Sequence, residues 1–395
     1  MRPLEGIRIL DFSRVLAGPM ATQILAEMGA EVTKIERPGA GDESRVFEPR
    51  FAGGESAYFL AFNRGKRSLT LNLKSARGQE LARRLVAGAD VVVENFLPGE
   101  MERFELGYDR LAEINPGLIY VSSTGFGQTG PYRDRPGYDT VFQALSGVMH
   151  LTGHADGPPA KAGVPIADMS SGLWIAIAIL SGLVGRARSG KGCRVDLSMM
   201  DVQASLLALA AARLFALDED VSRAGTEHPG RVPSAAFECR DGGWLHISGS
   251  DQHWPALCAT LGLVELAADP ALDNNAGRVA DRDRVMTAMR IAMLEHDRAA
   301  LAQKLRAAGI PAGEVNTVRE ILEDPHMTAR GMVGAFDHPG AGRVPALRTP
   351  VKYEGFDDPF IGVPPELGAD TDRILSEELG LDAAEIGTLR TEGVV

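Results

Sequence analysis

Cysteine is scarce. Only Cys193, Cys239 and Cys258 occur, an odd number with no C-x-x-C spacing, which fits neither a disulfide framework nor a cysteine zinc site. That pattern points to a reducing compartment. The eight histidines supply no metal-ligand pair either: His150 and His154 are four apart but straddle Thr152-Gly153, which reads as a helix end. Positive charge is in deficit, with 41 Lys and Arg against 53 Asp and Glu and a net charge of -12. Such a surface repels a nucleic-acid backbone and an anionic membrane, so an anionic small substrate must be captured by local cations. Signal-like and membrane-spanning runs are missing as well. MRPLEGIRILDF passes from one basic residue into a strand-like run, and the longest apolar stretch, Leu173 to Val184, predicts a buried helix too short for a bilayer. These absences together predict a cytoplasmic protein. Finally, the first strand-to-helix turn, Asp11-Phe-Ser-Arg-Val-Leu-Ala-Gly-Pro19, lacks the three glycines that bring a backbone onto a dinucleotide pyrophosphate, which argues against nicotinamide cofactors.

What is present is ordinary globular composition, 45% hydrophobic and 24% charged over 395 residues, enough for two or three domains. The first half alternates strand and helix patterns. Gly6 to Asp11, then a helix from Pro19 to Met28, then Glu31 to Ile35 make a βαβ unit; a helix from Arg77 to Ala87 and strands at 90–93 and 118–123 continue it. The fold class is therefore α/β, a parallel sheet covered on both faces. Pro/Gly-rich segments at 227–233 and 338–345 read as linkers around a smaller domain with a strand at Trp244 and helices at 281–293 and 297–308. This places a large domain over 1–225, completed by 346–395 with two short tail helices, and a small domain with its linkers over 226–345.

In such a sheet, ligands bind beyond the carboxyl ends of the strands. Arg37 follows the second strand, where a guanidinium could hold a phosphate by paired hydrogen bonds. Lys66, Arg67 and Lys74 surround a short alternating strand, and Asn95 and Phe96 follow the strand Val91 to Val93, offering an amide and an aromatic face to an adenine or a pantetheine arm. Arg103 adds a cation. Taken alone, Arg37 reads more readily as a solvated surface arginine, Asn95 as readily as a turn former ahead of Pro98, and the other cations are weak signals. Asp168 stands just before the apolar helix, where it serves as an N-cap or as a nucleophile kept ionised by the helix dipole. Ser170, Ser171 and Gly172 would let an acyl group and backbone amides come close. Tyr138 and Asp139 open another helix, as cap and first-turn acid or as site groups.

Taken in order, Pro3 to Asp11, Val15-Leu-Ala-Gly-Pro19, Lys34-Ile-Glu-Arg-Pro38, Gly41-Asp42, Asn63 to Ser68, Val93-Glu-Asn-Phe96, Gly125 to Pro131, Gly137-Tyr-Asp139, Ala167-Asp168 and Gly393-Val-Val395 resemble the family III CoA-transferases over essentially the whole chain. That group includes formyl-CoA transferase, carnitine CoA-transferase and the α-methylacyl-CoA racemases. The resemblance implies a Rossmann-like large domain, a smaller α+β domain and an interlocked homodimer. It implies Asp168 as the catalytic aspartate, with Arg37, Leu71, Lys74, Asn95, Phe96 and Arg103 as contacts to coenzyme A and Val15 near the thioester. Coenzyme A is then substrate and product, with no prosthetic group. The racemases carry histidine in a Gly-His-Asp motif; Tyr138 stands there, a poor base, so transfer is favoured over racemisation, and a CoA-binding protein without turnover is the second alternative. His246 to His253 matches the family's mobile glycine-rich loop without a glycine run, which speaks against formyl or oxalate substrates. The closest likeness is to the succinyl-CoA:dicarboxylate branch. A second carboxylate needs a cation, for which Arg14 and then Arg231 are the candidates, with Tyr138 and Asp139 shaping the acyl pocket.

Overall fold

The computed structural model spans residues 1–395 and describes all of them apart from the side chain of Ala52. The chain divides into two compact units. The larger comprises Met1–Val148, Lys161–Asp218 and His326–Val395, the smaller Met149–Ala160 and Glu219–Pro325.

The larger unit is built on six parallel strands: β1 (Arg8–Asp11), β2 (Glu31–Glu36), β3 (Arg67–Thr70), β4 (Val91–Glu94), β5 (Ile119–Thr124) and β6 (Cys193–Ser198), in the order β3-β2-β1-β4-β5-β6. All four residues of β4 are buried, as a Val-rich run between two covered faces must be. Alternation along the strands sorts the core into two layers. On one face Leu10, Ile35, Leu69, Val92 and Tyr120 pack under α3 (defined below) and the chain's tail; on the other Ile9, Val32, Val91, Val93, Ile119 and Val121 pack under two long helices. These helices are α1 (Ala17–Glu27) and the 24-residue α5 (Ile166–Ser189); of the helices between them in sequence, α2 (Ala57–Phe62), α3 (Ala76–Val86) and α4 (Asp139–Ser146) bear on the site. Ser75 caps α3 by accepting the Gly78 N–H at 3.0 Å. The tail helices, Thr371–Glu377 and Ala383–Thr391, bury Ile374, Leu375, Ile386 and Leu389 in the first layer.

Two features differ from the sequence expectation. The apolar helix is longer and less buried than predicted: Ile175, Ala176 and Ile179 face inward, while Leu173, Trp174, Ile177 and Val184 are about half exposed. By length and composition alone α5 could cross a membrane, but its inner face packs on α1, where a Cβ at Gly172 would come within 2.9 Å of the Ala17 carbonyl. Next along the chain lie α6 (Met199–Ser205) and α7 (Ala208–Leu217); α7 buries none of its residues and exposes Leu209, Leu214, Phe215 and Leu217. The chain also leaves the larger unit at Asp218 and re-enters at His326, earlier than the Pro/Gly segments suggest. The reason is the hairpin Val333–His338/Gly342–Leu347, whose Phe336 and Val344 cluster with Phe59 and Leu60 of α2.

The smaller unit is α+β. A three-stranded antiparallel sheet (Ser234–Glu238, Trp244–Ser248, Ala312–Glu314) packs on the helices Trp254–Leu261, Arg282–Met293 and Arg298–Ala307. Met149–Ala160 joins it through the Gly225 N–H to Gly153 carbonyl bond of 2.9 Å and Arg223, which donates to the His150 carbonyl at 3.0 Å.

Candidate active site

Strand order reverses between β1 and β4, and the connections from these two strands leave in opposite directions, opening a crevice at their carboxyl ends. Val15 follows β1, Arg37 follows β2, Leu71 and Lys74 follow β3, and Asn95, Phe96 and Arg103 follow β4. A cavity of about 630 Å³ lies here, lined among others by Arg14, Arg37, Leu71, Lys74, Phe96 and Phe104. Arg37 and Lys74 are exposed and have no side-chain partner among the described residues. In a chain of net charge -12 whose arginines are mostly paired, two free cations on one cavity suit an anionic ligand. The Arg14 guanidinium lies 4.8 Å from the Phe96 ring centre and 3.8 Å from the Glu43 carboxylate.

The loop between β1 and α1 is held from two sides. Asn95 Oδ1 accepts the Arg14 N–H at 2.9 Å and its Nδ2 donates to the Arg14 carbonyl at 2.8 Å, so the Asn95 amide is committed to backbone. On the other side Asp42 accepts the Val15 N–H at 3.2 Å. Val15 has φ +70°, a left-handed conformation that a β-branched residue adopts only under constraint. That constraint is a buried ionic lattice. Lys34 Nζ sits 2.8 Å from Asp42 and donates to the Ser13 carbonyl at 2.8 Å, while Asp11 takes Lys66 at 3.0 Å and the Thr22 hydroxyl at 2.6 Å. Burial alone would raise Asp42, but Lys34 and the Ser44 N–H and hydroxyl outweigh it and hold the carboxyl at about 2. Arg103 is exposed and paired with Glu100 at 3.0 Å.

Asp168 occupies the first turn of α5, but the N-cap position is Pro165 and no side chain of that segment caps the helix. The cap comes instead from α4. Asp139 Oδ1 accepts the N–H groups of Ala167 at 2.8 Å and Asp168 at 3.2 Å, and its Oδ2 accepts Gln143 Nε2 at 2.6 Å. The remaining first-turn N–H groups, of Ile166 and Met169, donate to the carbonyls of Val164 and Pro165 at 2.8 and 2.9 Å. This helix start therefore offers no free N–H to an oxyanion. Nor does the dipole hold Asp168 ionised as expected: burial first, and the Asp139 carboxylate second, raise its carboxyl to about 7. The segment is small and close, as predicted, with Ser170 bonded to Gln203 at 2.9 Å and the fully buried Ser171 hydroxyl without a partner.

Residues 4–371 match the family model of CoA-transferase family III. The chain belongs to that family. It is 39% identical over 395 residues to the succinyl-CoA:glutarate CoA-transferase of Mus musculus, a match covering 100% of this chain and 91% of the relative. It is likewise 39% identical to the acetyl-CoA:oxalate CoA-transferase of Acetobacter aceti, over 90% of each chain. Among solved structures, a CaiB/BaiF family protein from Brucella suis superposes with a TM-score of 0.86 at 40% identity, covering 95% of this chain and 99% of that one. This family III transferase is therefore an enzyme that transfers coenzyme A.

Other groups of the transferase fall differently. Tyr138 is the N-cap residue of α4 and is 79% exposed. Tyr58 of α2, which no sequence motif singled out, stacks edge-on with Phe47 and Phe62; its phenol is raised by burial and then by Asp168, Asp139 and Asp42, and stays a proton donor. Glu94, at the end of β4, is raised to about 7 by burial, against the Ser122 hydroxyl and the Phe96 N–H that it accepts at 2.9 Å. In the smaller unit, Arg231 is exposed, and His253 folds back on Ser250, its Nδ1 2.9 Å from the hydroxyl.

Proposed function

We propose that the chain moves coenzyme A from succinyl-CoA to a short dicarboxylic acid, with Asp168 as the nucleophile. The observation that carries this reading is a carboxyl, raised to about 7 and placed at a helix start lined by small residues, in a chain whose full-length relatives act on glutarate and oxalate. Both acceptors are dicarboxylates, and the second stands beside the expectation against oxalate. Arg37 and Lys74 hold the phosphates of coenzyme A, Leu71 and Phe96 its apolar parts, and Arg103 a further charge. Asn95 and Val15 act through the shape of the loop that leads to the thioester. Arg14, above Phe96, is the first candidate cation for a second carboxylate, with Tyr138 at the mouth of the acyl pocket.

The ionised Asp168 attacks the thioester carbonyl, forming a mixed anhydride and releasing CoA thiolate. The thiolate attacks the aspartyl carbonyl, breaking its bond to the donor acid and leaving an aspartyl-CoA thioester. The acceptor carboxylate attacks that thioester, giving a second anhydride and thiolate, and the thiolate then takes the acceptor acyl group and frees Asp168. The chain works as an interlocked homodimer in the cytoplasm, a reading supported by the apolar faces that α5 and α7 expose in the single chain and by three unpaired cysteines. Incubation with succinyl-CoA and each of oxalate, glutarate and mesaconate, followed by separation of the CoA esters, tests the substrate class. Transfer to at least one dicarboxylate is expected; α-proton exchange without any acceptor would instead make the chain a racemase.

A further inference from the structure

Asp139 and Gln143 form a directional relay that ends on the nucleophile. The Ala162 N–H donates to Gln143 Oε1 at 2.8 Å, which fixes the amide orientation and turns Gln143 Nε2 toward Asp139 Oδ2 at 2.6 Å. Asp139 Oδ1 receives two backbone N–H groups of α5, from Ala167 and Asp168. Both oxygens of Asp139 thus accept from donors that cannot reverse. The carboxylate lies beside the N-terminus of α5, where an anion is favoured by the helix dipole, and it consumes the N–H groups that would otherwise stabilise Asp168.

We propose that Asp139 is a positioning residue that fixes the start of α5 and sets a carboxylate beside the nucleophile, so that it disfavours a second negative charge on Asp168. A like charge at Asp139 acts on the Asp168 carboxyl and favours its protonated form. Groups from the other neighbouring elements do not supply an alternative. From α2 comes the Tyr58 phenol, a proton donor; α1 presents Met20 and the Ala17 carbonyl near Gly172; α6 presents Gln203, bonded to Ser170. The consequence is a nucleophile that rests partly protonated near neutrality and ionises as pH rises. The inference deepens the reading of Asp168 as nucleophile and rests on it for its catalytic meaning, though not for its test.

The test titrates Asp168 in the resting protein, without any CoA ester. A diazoacetamide esterifies protonated carboxyl groups, and peptide mass spectrometry follows the Asp168 peptide separately from that of Glu94 between pH 4 and 9. In the wild type, labelling of Asp168 should fall with a midpoint near 7. In Asp139→Asn the midpoint should drop by about half to one unit, staying above the ordinary carboxylate range because burial remains. Asp139→Ser, a shorter neutral cap, should drop it likewise if the Asn variant folds poorly, while Asp139→Glu should restore the wild-type midpoint. Circular dichroism confirms that each variant is folded. A folded neutral variant that titrates with the wild-type midpoint overturns the proposal. If the titration behaves as expected but no acyl adduct forms on Asp168, the relay stands and the reaction assignment falls.

Discussion

Asp42 and Asp168 are two aspartates in one unit, each with burial as the largest influence on its carboxyl, and they titrate in opposite directions. Asp42 is held at about 2 and Asp168 raised to about 7. The difference lies in the neighbour: Lys34 stands 2.8 Å from Asp42, whereas Asp168 faces the like charge of Asp139. Burial sets the size of the stakes and the partner sets the sign. The first arrangement is a scaffold, spending its charges on Ser13 and Val15 to hold the loop beside the cavity. The second leaves a carboxyl without an ion-pair partner, the kind of perturbed setting in which functional groups are often found.

Breaking the scaffold should have the largest effect on stability. Lys34→Met leaves Asp42 buried without its cation and is expected to cost about 3–5 kcal/mol in denaturant unfolding at pH 7. In the wild type, a depressed carboxyl such as Asp42 contributes stability above pH 4 that is lost as pH falls toward 2, about 2 kcal/mol in all. The variant should lose that acid dependence.

The cavity cations should behave as ligand groups alone. Arg37→Ala and Lys74→Ala are each expected to raise KM for the acyl-CoA about tenfold, about 1.4 kcal/mol, with kcat nearly unchanged and unfolding unaffected, because neither side chain has a partner to lose. Steady-state kinetics with varied acyl-CoA measures this. A fall in kcat alone would place them in the chemistry instead.

The smallest effect has the opposite sign. A carboxyl raised in the folded state favours the proton there, so the stability it lends is present at low pH and is lost as pH rises from about 4 to about 7. Asp168→Asn should therefore unfold like the wild type at pH 4 and be more stable at pH 8 by about 1 kcal/mol, a figure discounted for partial exposure. Denaturant midpoints at both pH values check it.

Much of this was legible in the sequence, because strands and their flanking residues are local. Arg37, Lys74 and Phe96 reach one cavity because each follows a parallel strand, which periodicity predicts, whereas Leu71 in the same cavity was signalled only by the family resemblance. The Asp139 cap was not legible, since it joins residues 28 and 29 apart in sequence; a first-turn Asp after Pro165 looks like its own cap until the tertiary partner is seen. Strand β6 also escaped notice, for Cys193-Arg-Val-Asp196 is only half buried at the sheet edge. The apolar run of α5 predicted a helix correctly and its burial incorrectly, because apolar residues alone do not say which chain will cover them.

The central claim is covalent chemistry at Asp168, and intact-protein mass after incubation with succinyl-CoA and hydroxylamine tests it most directly. The account predicts a hydroxamate on the peptide containing Asp168 and none in Asp168→Ala. A wild-type protein that binds succinyl-CoA yet yields no adduct on that peptide, with other acyl-CoA donors failing likewise, would contradict it.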